Sequence, residues 1–126
     1  MKASQTNYNW QNLTKINLER YRKVEDAHDV LANAMSDHDM WVDKPNRFEM
    51  KHSRCQLGAI SVHHLSFGTD TRIEVGDLVD NYYIQLPIHG QLHLHKNDKT
   101  VDANPNHAFI MSPGSEHTLE IEYSVL

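Results

Sequence analysis

Residues 87 to 95 read "PIHGQLHLH", with three histidines in seven positions. What chemistry they can do depends on which way each side chain points. In extended backbone, alternate side chains face opposite sides, so in "QLHLH" Leu92 and Leu94 share one face and His93 and His95 the other. Burial of apolar surface draws the leucines inside and leaves the two imidazoles toward solvent or a neighbouring surface. Two histidines at i and i+2 on an open strand can chelate a transition ion weakly. A built site needs further ligands and an outer set of hydrogen-bond partners, and this stretch supplies neither. His89, just before Gly90 at a strand end, reads as a surface residue.

The same period of two runs outward from Cys55 to the C-terminus. "CQLGAISVHHLSF", "TRIEV", "DNYYIQLPI", "QLHLH", "KTVDA", "HAFIM" and "HTLEIEY" read as strands, separated by "GTD", "GDLV", "HG", "KND", "NPN" and "SPGSE", which are rich in turn formers. This pattern predicts a sandwich or barrel of short antiparallel strands. One helix is predicted, in "YRKVEDAHDVLANAMSD", where Val24, Ala27, Leu31 and Ala34 fall at helical spacing and Met35 widens the stripe. Residues 1–23 are polar and Asn-rich, with scattered Trp10, Leu13 and Ile16, and read as an N-terminal extension to a domain spanning 24–126. A chain of 126 residues is one domain that can bury its own core.

Formal net charge is −5 and neither Lys nor Arg forms a run, so the segment lacks the basic footprint that neutralises nucleic-acid phosphates. The single cysteine, Cys55, can form no intramolecular disulfide, and the N-terminus has no apolar signal-peptide stretch, which points to the cytoplasm. No apolar run approaches the ~20 residues needed to span a bilayer. There is no phosphate-binding glycine loop, no serine in a nucleophile elbow and no informative acid pair. Glu120 and Glu122 alternate with apolar residues and read as a solvated face, while Cys55 reads as a small inert hydrophobe. His63 and His64 are adjacent, so one faces each side of their strand. A buried neutral imidazole donates to one partner and accepts from another, as a satisfied core group or as one that reads a ligand.

The chain from "LGAISVHHLSFG" through "IEVGDLVDNYYIQLPIHG" to "FIMSPG" resembles the N-terminal, cupin-like ligand-binding domain of AraC/XylS-family transcriptional regulators. "VEDAHDVLANAM" and "RFEMKHSRCQLG" also fit that family's lead-in, so the resemblance covers residues 24–126. It implies an all-β, cupin-like jelly-roll barrel (a double-stranded β-helix), here incomplete, with one N-terminal helix. It also implies a small-molecule effector inside the barrel, a homodimer, no membrane contact, and DNA binding only through a C-terminal helix-turn-helix half that this sequence does not contain.

Metal-binding cupins offer a pattern to compare: a histidine pair, a glutamate, six residues and a glycine. Counting back from Gly90 puts Tyr83 at the glutamate, and Asp77 with Val79, or Gly76 with Leu78, at the pair. His117 alone matches, after the "PG" of the second cupin motif, so the resemblance implies no metal, no cofactor and no catalytic set. With Leu92 and Leu94 inward, the cupin comparison turns Tyr83 and Gln85 inward as well. The ligand-binding candidates are therefore Tyr83, Gln85, His63, Leu92, Leu94 and His117. The opposite facing also stays open, because Tyr82, Ile84, Leu86 and Ile88 form the more apolar side of "YYIQLPI". The competing functions are a small metal-dependent cupin enzyme and an interaction module without an effector.

Overall fold

A computed structural model describes residues 18–35, 38–76, 81–112, 114 and 116–123. Its elements are β1 (Glu19–Tyr21), α1 (Val24–Ala34), β2 (His38–Val42), a 3-10 turn (Pro45–Arg47), β3 (Met50–Leu57), β4 (Ile60–Ser66), β5 (Thr71–Val75), β6 (Tyr83–Gln85), β7 (Gln91–Lys96), β8 (Lys99–Ala103), β9 (Phe109–Met111) and β10 (His117–Glu122). The strands form three antiparallel sheets: β1-β3-β4, β2-β5-β10-β7-β8, and the pair β6-β9. The last long strand, β10, inserts between β5 and β7, so its neighbours lie far away in sequence, as in jelly-roll sandwiches. Among the described residues, one α-helix and many strands agree with the fold class expected from the periodicity.

The pleat governs the five-stranded sheet. Ile73, Leu119 and Leu94 stand side by side on β5, β10 and β7 and all three are buried. Their sequence neighbours Arg72, Glu120 and His93 line the other face. A single apolar cluster joins this sheet to the rest, taking in Ala27 and Leu31 of α1, Met50 of β3, and Phe109 and Met111 of β9. The helix presents Ala27 and Leu31 inward and places Glu25 and Asp26 in its first turn, where carboxylates suit the positive end of the helix dipole. Nε2 of His28 lies 2.6 Å from the carbonyl oxygen of His38, which ties the helix to β2.

Three details differ from the sequence reading. "CQLGAISVHHLSF" is not one strand: Gly58, at φ +61°, with Ala59 makes a two-residue reversal between β3 and β4, a turn whose first position favours glycine. The β region also begins well before Cys55, since "HDMWV" forms β2 and β3 starts at Met50. Residues 19–21, which fall within the expected extension, pair with β3 as β1, and Tyr21 packs against the core. Residues 1–17, with Trp10, Leu13 and Ile16, lie outside the described residues. The β7–β8 hairpin matches its "KND" signal, because Asn97 and Asp98 both take positive φ, as a type I′ turn requires.

Candidate functional site

The six ligand-binding candidates lie on three different sheets. Leu92 and Leu94 of β7 and His117 of β10 occupy the inner face of the five-stranded sheet, and all three are buried. Tyr83 and Gln85 sit cross-strand from Met111 and Phe109, on the core-facing side of β6-β9. Both are half-buried, and Tyr83 packs against the same cluster as Leu92 and Leu94. Tyr82, Ile84, Leu86 and Ile88, the more apolar set, instead face outward. Period alone could not have told these two sides apart, because the outward set is the more hydrophobic one.

His63 lies elsewhere, on β4. Its Nδ1 is 2.9 Å from Nε2 of His52, with the two rings stacked nearly parallel at 5.2 Å. One nitrogen must donate and the other accept, so the contact forms between rings that are not both protonated. Burial holds both imidazoles below the ordinary value of 6.5; the nearby Arg54 adds to this in both, and Glu19 opposes it at His52. His64 points to the opposite face of β4. Its Nδ1 is buried without a hydrogen-bond partner, and burial, then the neighbouring His89, lowers its pKa. His52 and His64 were not among the candidates: the adjacent pair at 63–64 showed that one ring turns inward, but not that His52, on another strand, would meet it.

At one end of the five-stranded sheet, a polar cleft of about 580 Å³ gathers His117, His95, Lys96, Lys99, Glu116 and the Asn97-Asp98 turn. Of the six candidates only His117 reaches it. His93 and His95 lie on the outer face of the sheet. Nδ1 of His93 is 2.6 Å from Asp102 and its Nε2 3.4 Å from Glu122. His95 bonds Thr100 at 3.0 Å and approaches Glu120 at 3.4 Å. Among the described residues, no group of three or more His, Cys, Asp or Glu is arranged to hold a metal ion. Cys55 is a free, half-buried thiol within β3.

These geometries predict two opposite responses to pH. The Asp102 carboxylate raises the pKa of His93, partial burial works against it and Glu122 reinforces it. The stability from this pair is therefore full below pH 6.5 and is lost as pH rises through the higher folded value. For His52, His63 and His64 the folded value is depressed, so their contribution is full above pH 6.5 and is lost as pH falls toward the folded values. Histidine ring titration by NMR is expected to give His93 an inflection above 6.5 and the other three inflections below it. A single shared inflection would contradict the structure.

A family model described as an AraC-binding-like domain matches residues 27–124. The chain belongs to that family. No curated protein and no solved structure matches it. The match takes in α1 from Ala27 onward and every strand from β2 to β10, which makes the β architecture described above that of a cupin-like AraC-binding domain. AraC-binding domains are ligand-binding regulatory domains, which sets the chemistry to look for: recognition rather than turnover. Among the described residues, no helix is long and apolar enough to cross a membrane.

Proposed function

We propose that the chain is an effector-sensing domain that binds a small molecule between its sheets, and that Tyr83, Gln85, His63, Leu92, Leu94 and His117 contact it. The observation that carries this reading is the pairing of family membership with the facing of β6. A phenol and an amide are turned toward the core while isoleucine and leucine are left outside. Both groups are half-buried, so the phenol and the amide can hydrogen-bond the polar edges of a bound molecule while the leucines bury its apolar part. The effector would act by binding one arrangement of the domain better than another, biasing a DNA-binding half joined to it. The reading includes a cytoplasmic setting, no membrane contact and no cofactor.

Thermal denaturation of the full chain against a panel of small aromatic acids and amines tests it. A compound present at one hundred times its Kd adds about 2.7 kcal/mol of stability, which for a domain of this size raises Tm by roughly 8–13 °C. Gln85→Met, which keeps the volume and removes the amide, is expected to abolish most of that shift while leaving the unliganded Tm within about 2 °C. A panel with no stabilising compound, or a shift indifferent to both Gln85→Met and Tyr83→Leu, refutes the proposed site.

A further inference from the structure

The polar cleft at the end of the five-stranded sheet holds an arrangement of charge that the effector reading does not use. On one side Asp39 of β2 stands directly cross-strand from Glu74 of β5. On the other, Lys96 of β7 stands directly cross-strand from Lys99 of β8. All four line the cleft. Like charges placed opposite each other weaken a sheet, and each pair has one half-buried and one exposed member, so water screens them incompletely. Neighbouring groups do little to help. Glu74 has an ion pair with Arg72 at 2.9 Å, but among the described residues Asp39, Lys96 and Lys99 form none, and neither do Asp98 and Glu116, the two other carboxylates of the cleft. Two like-charged pairs of opposite sign therefore face one cavity, on either side of β10.

We infer that this cleft binds an elongated zwitterion, its ammonium between Asp39 and Glu74 and its carboxylate between Lys96 and Lys99. Strand spacing sets the length. β10 lies between β5 and β7, and hydrogen-bonded strands are about 4.8 Å apart, which puts the Glu74 and Lys96 backbones about 10 Å from each other. An extended chain of three residues spans about 10 Å, so a tripeptide with free termini fits, and the reach of the lysine side chains admits somewhat shorter molecules. The strip between the poles carries hydroxyls and an imidazole: Thr118 lies cross-strand from Glu74 on one side and His95 on the other, and Thr100 follows on β8. These groups can hydrogen-bond amides or other polar atoms between the two charges. The cleft's volume of about 580 Å³ is that of a small-ligand site. Charge selects the class. A simple anion would leave the carboxylate pair uncompensated and a simple cation the lysine pair, whereas a zwitterion answers both and adds nothing to a net charge of −5. Tyr83 and Gln85 do not line this cleft, so the inference goes beyond the effector site and does not rest on it.

Isothermal titration of the full chain with triglycine and with ε-aminocaproate tests it, the two probes separating a peptide from a plain ω-amino acid. The expected result is saturable binding of at least one of them. Glycine, N-acetyltriglycine and triglycine amide should each bind roughly tenfold more weakly or worse, since glycine cannot reach both poles and each blocked peptide lacks one charge. Asp39→Asn should weaken binding of triglycine and remove the penalty for acetylating its amine, while Lys99→Gln should weaken binding and remove the penalty for amidating its carboxylate. A merely structural effect cannot match the lost charge to the lost penalty in this way. Both substitutions are close in shape and lie at exposed positions, and circular dichroism checks that the fold is kept. Preference for triglycine would mark the peptide backbone as recognised, and equal affinity for the two probes would mark charge spacing alone. No saturable binding of either zwitterion, blocked peptides that bind as well as triglycine, or variants that bind like wild type would overturn the inference.

Discussion

Truncating Leu94 to alanine is expected to lower the unfolding free energy by about 2–5 kcal/mol, while removing the ring next to it, in His95→Ala, should change it by about 1 kcal/mol or less. The contrast follows from the pleat. Leu94 is 6% exposed, lies between Leu119 of β10 and Val101 of β8, and extends the apolar row begun by Ile73. Losing its side chain leaves a cavity that three neighbouring strands cannot all close. His95 stands on the opposite face, where Thr100 and Glu120 hold it in partial contact with water. Urea denaturation measures both, provided the slope m is unchanged so that midpoints convert to free energies. Equal costs would mean that the strand register is displaced by one residue, which exchanges the two faces and with them every inward candidate on β7 and β10.

The faces of β5, β7 and β10 were legible in the sequence because each strand alternates apolar with polar residues over five or six positions, so the buried side and the hydrophobic side coincide. β6 was not. There the hydrophobic side is the exposed one, and only cross-strand pairing with Phe109 and Met111, set by residues some 25 positions away, decides that Tyr83 and Gln85 turn inward. The β3–β4 reversal was missed for a different reason: Gly-Ala is a weak turn signal inside a long run of alternating apolar and polar residues, and the pairing of Leu57 with Ile60 becomes visible only in space. The His52–His63 contact is likewise a product of register, since His52 lies across from Leu65 and reaches His63 diagonally. Family resemblance supplied the class of function and period supplied the strands. The chemistry of the candidate site depends on pairings between distant segments, which one-dimensional patterns do not encode.

A second large effect is expected at Gly68, where alanine should cost about 2–4 kcal/mol by adding a backbone penalty to an overpacked contact. Gly68 takes φ +76°, and a Cβ there would lie 2.8 Å from the carbonyl oxygen of Arg47 and 3.3 Å from the amide nitrogen of Glu49. Both are backbone atoms held by their surroundings: Glu49 donates its amide to the Phe67 carbonyl, and Phe48 donates to Pro45. The residues that follow Gly68 bind the neighbouring elements. Thr69 accepts a bond from the Lys44 amide, and Asp70 accepts from Asp43 through its carbonyl and from Tyr123 through its carboxylate. Shifting this loop to admit a methyl group would therefore disturb the end of β2 and the end of β10 together. Gly58 provides the control, since it too has positive φ but a Cβ there meets nothing within 4 Å. Gly58→Ala should cost only the backbone penalty of about 1–2 kcal/mol. Calorimetric Tm values for the two variants should differ accordingly, with Gly68→Ala the lower by roughly 3–10 °C for a domain of this size. Equal losses would show that the Gly68 loop relaxes freely and does not clamp β2 and β10 onto β5.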